Sequence, residues 1–170
     1  MYRILICSAA ALFIGDQAVA QQKQHVSYKN SAENAKYIVS QNVDIGDIPN
    51  HIVRIFEIRH TFPNNAPVIN GLKVVEEWDR GVVELIDGNG SAAPNYIIYV
   101  MENGDKFFTR IASLVQTTPD GKFTVTTVGY ITGGTGKLTG IQGTVRGSAN
   151  IDYKAGFNEN QIDIEYTIGK

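Results

Sequence analysis

The stretch GYITGGTGKLTGIQGTVRG, residues 129–147, concentrates glycines around GGTGK and therefore needs a test for phosphate binding. A P-loop has the pattern G-x-x-x-x-G-K-[ST], in which backbone amides wrap the phosphates and the hydroxyl reaches magnesium. With Gly136 as its second glycine, Ile131 replaces the first glycine and Leu138 replaces the hydroxyl residue. A dinucleotide fingerprint fails too, because Thr139 occupies its last glycine position. The stretch does not indicate nucleotide binding.

Few other residues have the types and spacing of a reactive site. The histidines show neither H-x-H nor H-E-x-x-H spacing, and no G-x-S-x-G elbow supports serine catalysis. The one cysteine, Cys7, lies in the N-terminal segment considered below. We therefore predict no metal and no cofactor. Phenol hydroxyls could bind a ligand's oxygen, although most strand tyrosines only pack; the tyrosines on predicted strands are Tyr96, Tyr99 and Tyr130.

The elements that must position these residues are β-strands. Asn103-Gly104 between two apolar runs predicts a tight hairpin, and a turn is predicted around Arg80-Gly81. No window predicts an amphipathic helix, so the pattern indicates an antiparallel meander. We predict an all-β fold, an eight-stranded antiparallel up-and-down β-barrel, with a two-sheet sandwich as the alternative. The predicted strands are 52–62, 72–79, 82–87, 96–102, 105–115, 122–132, 141–153 and 161–168.

The glycine stretch then has a structural explanation. Its first part predicts a turn that needs positive φ, and its second part lies around and within the next strand. Glycine inside a strand is typical of a bulge, a barrel corner or a close backbone approach. The glycines predicted to shape the barrel are Gly133, Gly134, Gly136, Gly140 and Gly143.

The N-terminus has the organisation of an export signal. Arg3 supplies positive charge, an apolar run extends from Ile4 to Gly15, and AVA at 18–20 offers a small-x-small cleavage site. The run is too short for a membrane-spanning helix, which needs about 20 apolar residues. We predict that residues 1–20 are a signal peptide. The protein is then exported from a bacterial cell, periplasmic or secreted, with no membrane span in the mature chain.

The mature chain is predicted to hold one domain. Residues 21–36 are polar and aperiodic and predict a flexible leader, and residues 37–170 form the β-barrel domain. The formal net charge is −2, from 15 Lys and Arg against 17 Asp and Glu. That near balance, without a basic run, argues against a nucleic-acid partner.

Two segments carry a family resemblance. ITGGTGKLTGIQGTV, residues 131–145, resembles the hydrophobic-T-G-G-[TS]-G-x-[FL]-x-G-x-x-G segment of the allene oxide cyclase and dirigent protein superfamily. IFEIRHTFPNNAP, residues 55–67, is similar to the Y-E-I-N-E segment that opens the allene oxide cyclase barrel. The resemblance covers roughly residues 37–168. It implies an eight-stranded barrel with an apolar cavity, assembled as a homodimer or homotrimer.

The same resemblance implies the site residues. Its cavity-facing glutamate, which stabilises a delocalised cation in allene oxide cyclases, matches Glu57. The family's asparagine, which holds a water on the epoxide oxygen, is replaced by Arg59, the second glutamate by His60, and the family's proline by Ala66. We predict Glu57 as the catalytic residue. The predicted ligand-binding residues are Arg59, Tyr99 and Tyr130.

Strand alternation gives two possible facings for this segment. Glu57 and Arg59 share one side of the predicted strand, while Phe56, Ile58 and His60 share the other. Hydrophobicity places the second set inside, and the resemblance places the first set there. An exposed ion pair between Glu57 and Arg59 is the alternative to a role in a site.

Three functions remain open at this point. The first is an exported barrel that binds a small apolar or amphipathic molecule in its interior. The second is an isomerase or cyclase of the allene oxide cyclase type, which steers a reactive intermediate in the same cavity by shape and charge. The third is a non-catalytic oligomeric scaffold. The orientation of Glu57 separates these hypotheses, because the second requires it inside the barrel.

Overall fold

The computed structural model describes residues 22–152 and 154–169, so the signal peptide predicted over 1–20 lies outside the described residues. Strands account for most of the described chain, and two short 3-10 helices cover Ala32–Asn34 and Gly136–Leu138. Neither of these helices, the ones that the structure describes, is long and apolar enough to cross a membrane. The strands are β1 (Gln24–Asn30), β2 (Ala35–Asp44), β3 (His51–Thr61), β4 (Val68–Ile69), β5 (Leu72–Ile86), β6 (Asn89–Met101), β7 (Lys106–Thr117), β8 (Phe123–Gly134), β9 (Ile141–Asp152) and β10 (Phe157–Ile168).

The strands form one antiparallel sheet that curls around a buried interior. Its order is β1-β10-β9-β8-β7-β6-β5-β3-β2, and the short β4 pairs with β5. From β5 to β10 each strand pairs with the next in sequence, as in an up-and-down meander. The two ends of this sheet order are joined by a side-chain contact, in which Asn158 of β10 donates a hydrogen bond to the hydroxyl of Tyr37 on β2 at 3.2 Å. The predicted all-β antiparallel barrel is confirmed, and the two-sheet alternative is not found among the described residues. The described sheet has ten strands where eight were predicted, because β1, β2 and β4 were not predicted and the predicted strands 72–79 and 82–87 are one strand, β5.

The segment predicted as a flexible leader contains a strand instead. β1 pairs with residues 160–166 of β10, and β2 begins at Ala35. Tyr28 and Asn30 of β1 are buried, while the residues between and before them are more exposed. The leader prediction failed because one of the inward residues is an asparagine, so the period of two was not visible as alternating hydrophobicity.

The turn predicted at Arg80-Gly81 lies inside the long strand β5. A side chain at position 81 would collide with that of Asn95, which occupies the space beside the glycine. The Oδ1 atom of Asn95 accepts a hydrogen bond from the backbone amide of Val82 at 3.1 Å. Gly81 therefore accommodates an irregularity in the pairing of β5 with β6 rather than a reversal of the chain.

The predicted hairpin and the glycine stretch both shape the sheet. Asn103-Gly104 joins β6 to β7, with Gly104 at a φ of +84°, so the hairpin prediction is confirmed. At Gly136, where φ is +53°, a Cβ would collide with the carboxylate of Asp105. Within β9, Gly143 packs directly against the backbone of β10. Positive φ also occurs at Gly133 and Gly140, and Gly134 packs closely on the following 3-10 helix.

The barrel interior has two apolar regions separated along β5 by carboxylates. The larger region contains Val74 together with Tyr99 and Phe107, whose rings stack 4.1 Å apart. The smaller region contains Val83 and is lined by neighbouring strands. Burial of one such aliphatic or aromatic side chain stabilises the fold by about 1.5–3 kcal/mol. The inward residues between Val74 and Val83 are Glu77, Asp79 and Gly81, which places polar groups in the middle of the barrel.

Candidate functional site

Glu57 lies on the outer face of β3, away from the barrel interior. Its two carboxylate oxygens accept hydrogen bonds from the Nε atoms of Arg59 at 2.8 Å and Arg80 at 2.9 Å. Both guanidinium groups also lie 5.0 Å from the ring centroid of Trp78. The hydrogen bond from Arg80, and then that from Arg59, hold the pKa of Glu57 below its ordinary value. Glu57 and Arg59 are therefore an ionised outer pair, which was the alternative interpretation of the sequence.

The opposite face of β3 points inward. Ile58 and His60 are buried, with exposed fractions of 6% and 1%, and Phe56 lies on the same side. The facing predicted from hydrophobicity is therefore found, and the facing implied by the resemblance is not. The physical reason is that three large inward side chains bury far more apolar surface than the Glu57 side of the strand could offer.

The predicted tyrosines do not form a common site. Tyr130 is half exposed on the outer face of β8. Tyr99 is fully buried on β6, where it stacks on Phe107 in the larger apolar region. Neither tyrosine lines the interior cavity, and neither do Glu57 and Arg59. The structure thus does not bring the predicted site residues together.

The cavity lies in the other half of the barrel and has a volume of about 80 Å³. One water molecule needs about 10–15 Å³ of such volume, so there is room for a ligand of several non-hydrogen atoms. Its apolar walls come from six strands and include Phe56, Ile58, Val83, Val115, Val125 and Ile151. Its polar lining includes Asp79, His60, Asn158 and Asn160.

A β-bulge turns the acidic residues of β5 inward. Val74 pairs with Met101 of β6 and Glu76 pairs with Val100, so β5 has one extra residue at position 75. An extra residue exchanges the two faces of a strand beyond the bulge. Regular alternation from Val74 would put Glu76 inside and Glu77 outside, whereas the observed strand buries Glu77 at 1% exposure. The sequence reasoning missed Glu77 and Asp79 because this register change has no signature in the alternation of residue types.

Glu77 and His60 form a buried ion pair. The Oε1 atom of Glu77 lies 3.3 Å from Nδ1 of His60. Its Oε2 atom accepts hydrogen bonds from the hydroxyl of Tyr28 at 2.8 Å and the amide of Asn30 at 3.2 Å. Burial raises the pKa of Glu77, but the hydrogen bond and the charge of His60 lower it by more. The pKa of Glu77 therefore lies below its ordinary value. Burial lowers the pKa of His60, but Glu77 raises it to above its ordinary value.

Asp79 is the carboxyl that faces the cavity. Its Oδ1 atom is buried and has no hydrogen-bond partner among the residues that the structure describes. Burial, and then the negative charge of Glu77, raise the pKa of Asp79 to about 7, although the charge of His60 opposes the change. A carboxyl with a pKa near neutrality can both donate and accept a proton at physiological pH. Asp79 is thus the residue of this cavity that is best suited to acid–base chemistry.

Two asparagines of β10 complete the polar lining. Asn158 is 3% exposed and donates its Nδ2 to Tyr37, while Nδ2 of Asn160 lies 3.4 Å from Nε2 of His60. Within residues 22–152 and 154–169, the side-chain oxygens of both asparagines lack a hydrogen-bond partner. The polar end of the cavity therefore presents hydrogen-bond acceptors. Across the same residues, no group of three His, Cys, Asp or Glu side chains is arranged to hold a metal ion.

Comparisons with known proteins give a fold relationship. No family model matches the chain, and no curated protein matches it either. Among solved structures, the pterocarpan synthase dirigent protein PsPTS1 is similar with a TM-score of 0.50 and 12% identity, over 88% of this chain and 96% of that one. The pterocarpan synthase dirigent protein GePTS1 gives a TM-score of 0.48 and 14% identity, over 96% of this chain and 98% of that one. The fold of this chain is therefore a dirigent-like β-barrel.

Proposed function

We propose that this protein is an exported barrel that binds a small amphipathic molecule in its interior cavity. The observation that carries the proposal is the division of the cavity into apolar walls, such as Phe56 and Val115, and a polar end at Asp79 and His60. A pocket of this kind binds the apolar part of a ligand by burial and orients it through a few polar groups. Dirigent proteins share the fold, which supports an interior that holds a small molecule.

Filling the cavity tests this proposal. Ala149 lines the cavity on β9, so an Ala149→Phe variant places a ring where a ligand would lie. Ala112 is exposed on the outer face of β7, so Ala112→Phe is a matched control. NMR titration of the wild type with n-butanol should shift amide signals of the cavity-lining strands. The shifts should disappear in Ala149→Phe and persist in Ala112→Phe.

The opposite pattern would contradict the proposal. Shifts confined to outward residues, or shifts that survive in a correctly folded Ala149→Phe protein, would mean that the cavity is not the binding site. Circular dichroism of both variants establishes that the fold is retained. The comparison thus separates a loss of binding from a loss of structure.

A cyclase or isomerase of the allene oxide cyclase type is the second candidate, with Asp79 in place of Glu57 as the carboxyl group in the cavity and with proton transfer as its role. The pKa of about 7 at Asp79 favours it, because proton transfer to or from a reactive oxygen needs such a group. Turnover of unsaturated fatty-acid epoxides should then be lost in Asp79→Asn and retained in Glu57→Gln. Activity that depends on Glu57 and not on Asp79 would refute this assignment.

Export and self-association complete the proposal. Export rests on the N-terminal pattern of residues 1–20 and is tested by fractionation of a bacterial host and by N-terminal sequencing of the mature protein. A homodimer or homotrimer would use exposed apolar side chains on the outer face, such as Leu114, Val128 and Tyr130. Sedimentation velocity of Leu114→Glu should show dissociation; an unchanged coefficient would place the contact elsewhere or leave the protein monomeric.

A further inference from the structure

We propose that the ligand of this cavity is a primary amine, bound as an ammonium ion with its charge at Asp79. The inference rests on the proposed cavity function and names the chemical class of the ligand. It follows from the polar atoms that the fold leaves unpaired around the cavity, from their charge, and from the position of the nearest arginine.

Two side chains that line the cavity have a buried acceptor without a hydrogen-bond partner among the described residues, namely Oδ1 of Asp79 and Oδ1 of Asn158. The donors of the lining on His60 and Arg54 face partners of their own, Glu77 and Asn42. Asn160 is not counted, because its amide faces Nε2 of His60, which carries a proton in the ion pair with Glu77. A buried acceptor without a donor costs about 1–3 kcal/mol, so this end of the cavity gains most from a ligand that brings donors. An ammonium group has three donors and no acceptor, whereas a carbonyl or ether has none to offer.

The charge of the cavity end also favours a cation. Glu77 and His60 neutralise each other at 3.3 Å, and this leaves Asp79 as the uncompensated acid. The other titratable groups around Asp79 are the buried phenols of Tyr28 and Tyr99, whose pKa values burial raises well above the ordinary value. Both phenols are neutral at physiological pH. An anionic ligand would add a negative charge beside two carboxyls, while an ammonium ion would pair with Asp79.

The one arginine of the lining, Arg54, donates its Nε to Oδ1 of Asn42 at 2.7 Å, and its charge is not among the causes that shift the pKa of Asp79. Asp79 pairs with Ile58 on β3, and Arg54 lies four residues before Ile58 on the same strand. At about 3.3 Å per residue, that places the backbone of Arg54 about 13 Å from that of Ile58, toward the β2–β3 loop. The aliphatic part of an amine would lie between, against Phe56 and Val83.

Three ligands of equal chain length test the inference by NMR titration: n-butylamine, n-butanol and butyrate. At pH 8 the amine is a cation, as a lysine side chain is. Butylamine should bind at least tenfold more tightly than butanol, and butyrate should not bind. Asp79→Asn should remove the preference for the amine. Glu57→Gln, the same type of change on the outer face, should leave it unchanged.

The pH dependence gives a second readout. With a pKa of about 7, Asp79 is mostly protonated at pH 6 and mostly ionised at pH 8. The affinity for butylamine should therefore rise about tenfold between these values, while the affinity for butanol stays constant. Calorimetry at pH 6 in two buffers of different ionisation enthalpy should show release of close to one proton for each amine bound.

Each outcome decides between the inference and the cavity function. Equal binding of butanol and butylamine refutes the proposal that the ligand is an amine, and so does full affinity for butylamine in Asp79→Asn. In both cases the proposed binding function of the cavity stands. Binding of butyrate alone refutes it as well. Failure of all three ligands to shift the cavity signals overturns both proposals.

Discussion

The carboxyl of Asp79 should make the stability of this protein fall as the pH rises through the weakly acidic range. In the folded state its pKa is raised from 3.8 to about 7 by burial and by the charge of Glu77. Between these two values the unfolded chain has lost the proton of Asp79 and the folded chain retains it. Because the folded state binds more protons there, the free energy of unfolding decreases with increasing pH.

The magnitude follows from the same two values. At about 1.4 kcal/mol for each pKa unit, a rise from 3.8 to about 7 corresponds to about 4 kcal/mol once Asp79 is fully ionised. Asparagine has the shape of the neutral carboxylic acid and does not titrate. Asp79→Asn should therefore match the wild type near pH 4 and be about 4 kcal/mol more stable near pH 8.

Urea unfolding measures this difference, with the single tryptophan, Trp78, as the fluorescent reporter. The difference between the two proteins is the relevant quantity, because the pair of Glu77 and His60 is common to both. A difference that stays constant within about 1 kcal/mol from pH 4 to pH 8 would refute the burial argument. A decrease in the stability of Asp79→Asn relative to wild type as the pH rises would mean that Asp79 is held ionised by a partner.

Three further variants follow from the same contacts. Glu77→Gln leaves the charge of His60 buried without its carboxylate and should cost about 3–5 kcal/mol in urea unfolding at pH 6; a cost under 1 kcal/mol would contradict the ion pair. Glu57→Gln should cost at most about 1 kcal/mol at pH 7, and the cost should vanish as the pH falls through the lowered pKa of Glu57. Gly143→Ala meets the backbone of β10 and should lower stability by about 2–3 kcal/mol. Gly147→Ala, which meets mainly the flexible end of a side chain, should cost less, and equal costs would argue against the close approach at Gly143.

The barrel was predictable because its signals are local. The Asn103-Gly104 turn joins β6 to β7 in the structure, since only a few backbone conformations close a hairpin that tight. The turn wrongly predicted at Gly81 is an example of a feature that the local sequence does not determine. That glycine faces Asn95 on the next strand, and a contact between residues so far apart in sequence is set by sheet pairing rather than by turn propensity.

The candidate site was not predictable for a related reason. On β3 the hydrophobic pattern gives the correct facing, and the transfer of a site glutamate from a resembling family gives the wrong one. A short motif match fixes which residue aligns, but the facing of that residue depends on which side of the strand can bury more apolar surface. Glu57 has two arginine partners on the outside, and an inward position would have left it without Arg80, which is also outward on β5.

The bulge at position 75 then explains how this barrel has an internal acid at all. By moving Glu77 and Asp79 to the inside, it places two carboxyls on one strand face, two residues apart. His60, on the neighbouring strand, can compensate only one of them, and it is Glu77 that receives the histidine, a tyrosine and an asparagine. Asp79 keeps its proton to about pH 7 as the direct result of this unequal division. A deletion of Val75 would therefore give a regular strand on which Glu77 and Asp79 still face inward, and the pH dependence of stability should persist; its loss in a folded deletion variant would refute this account of the bulge.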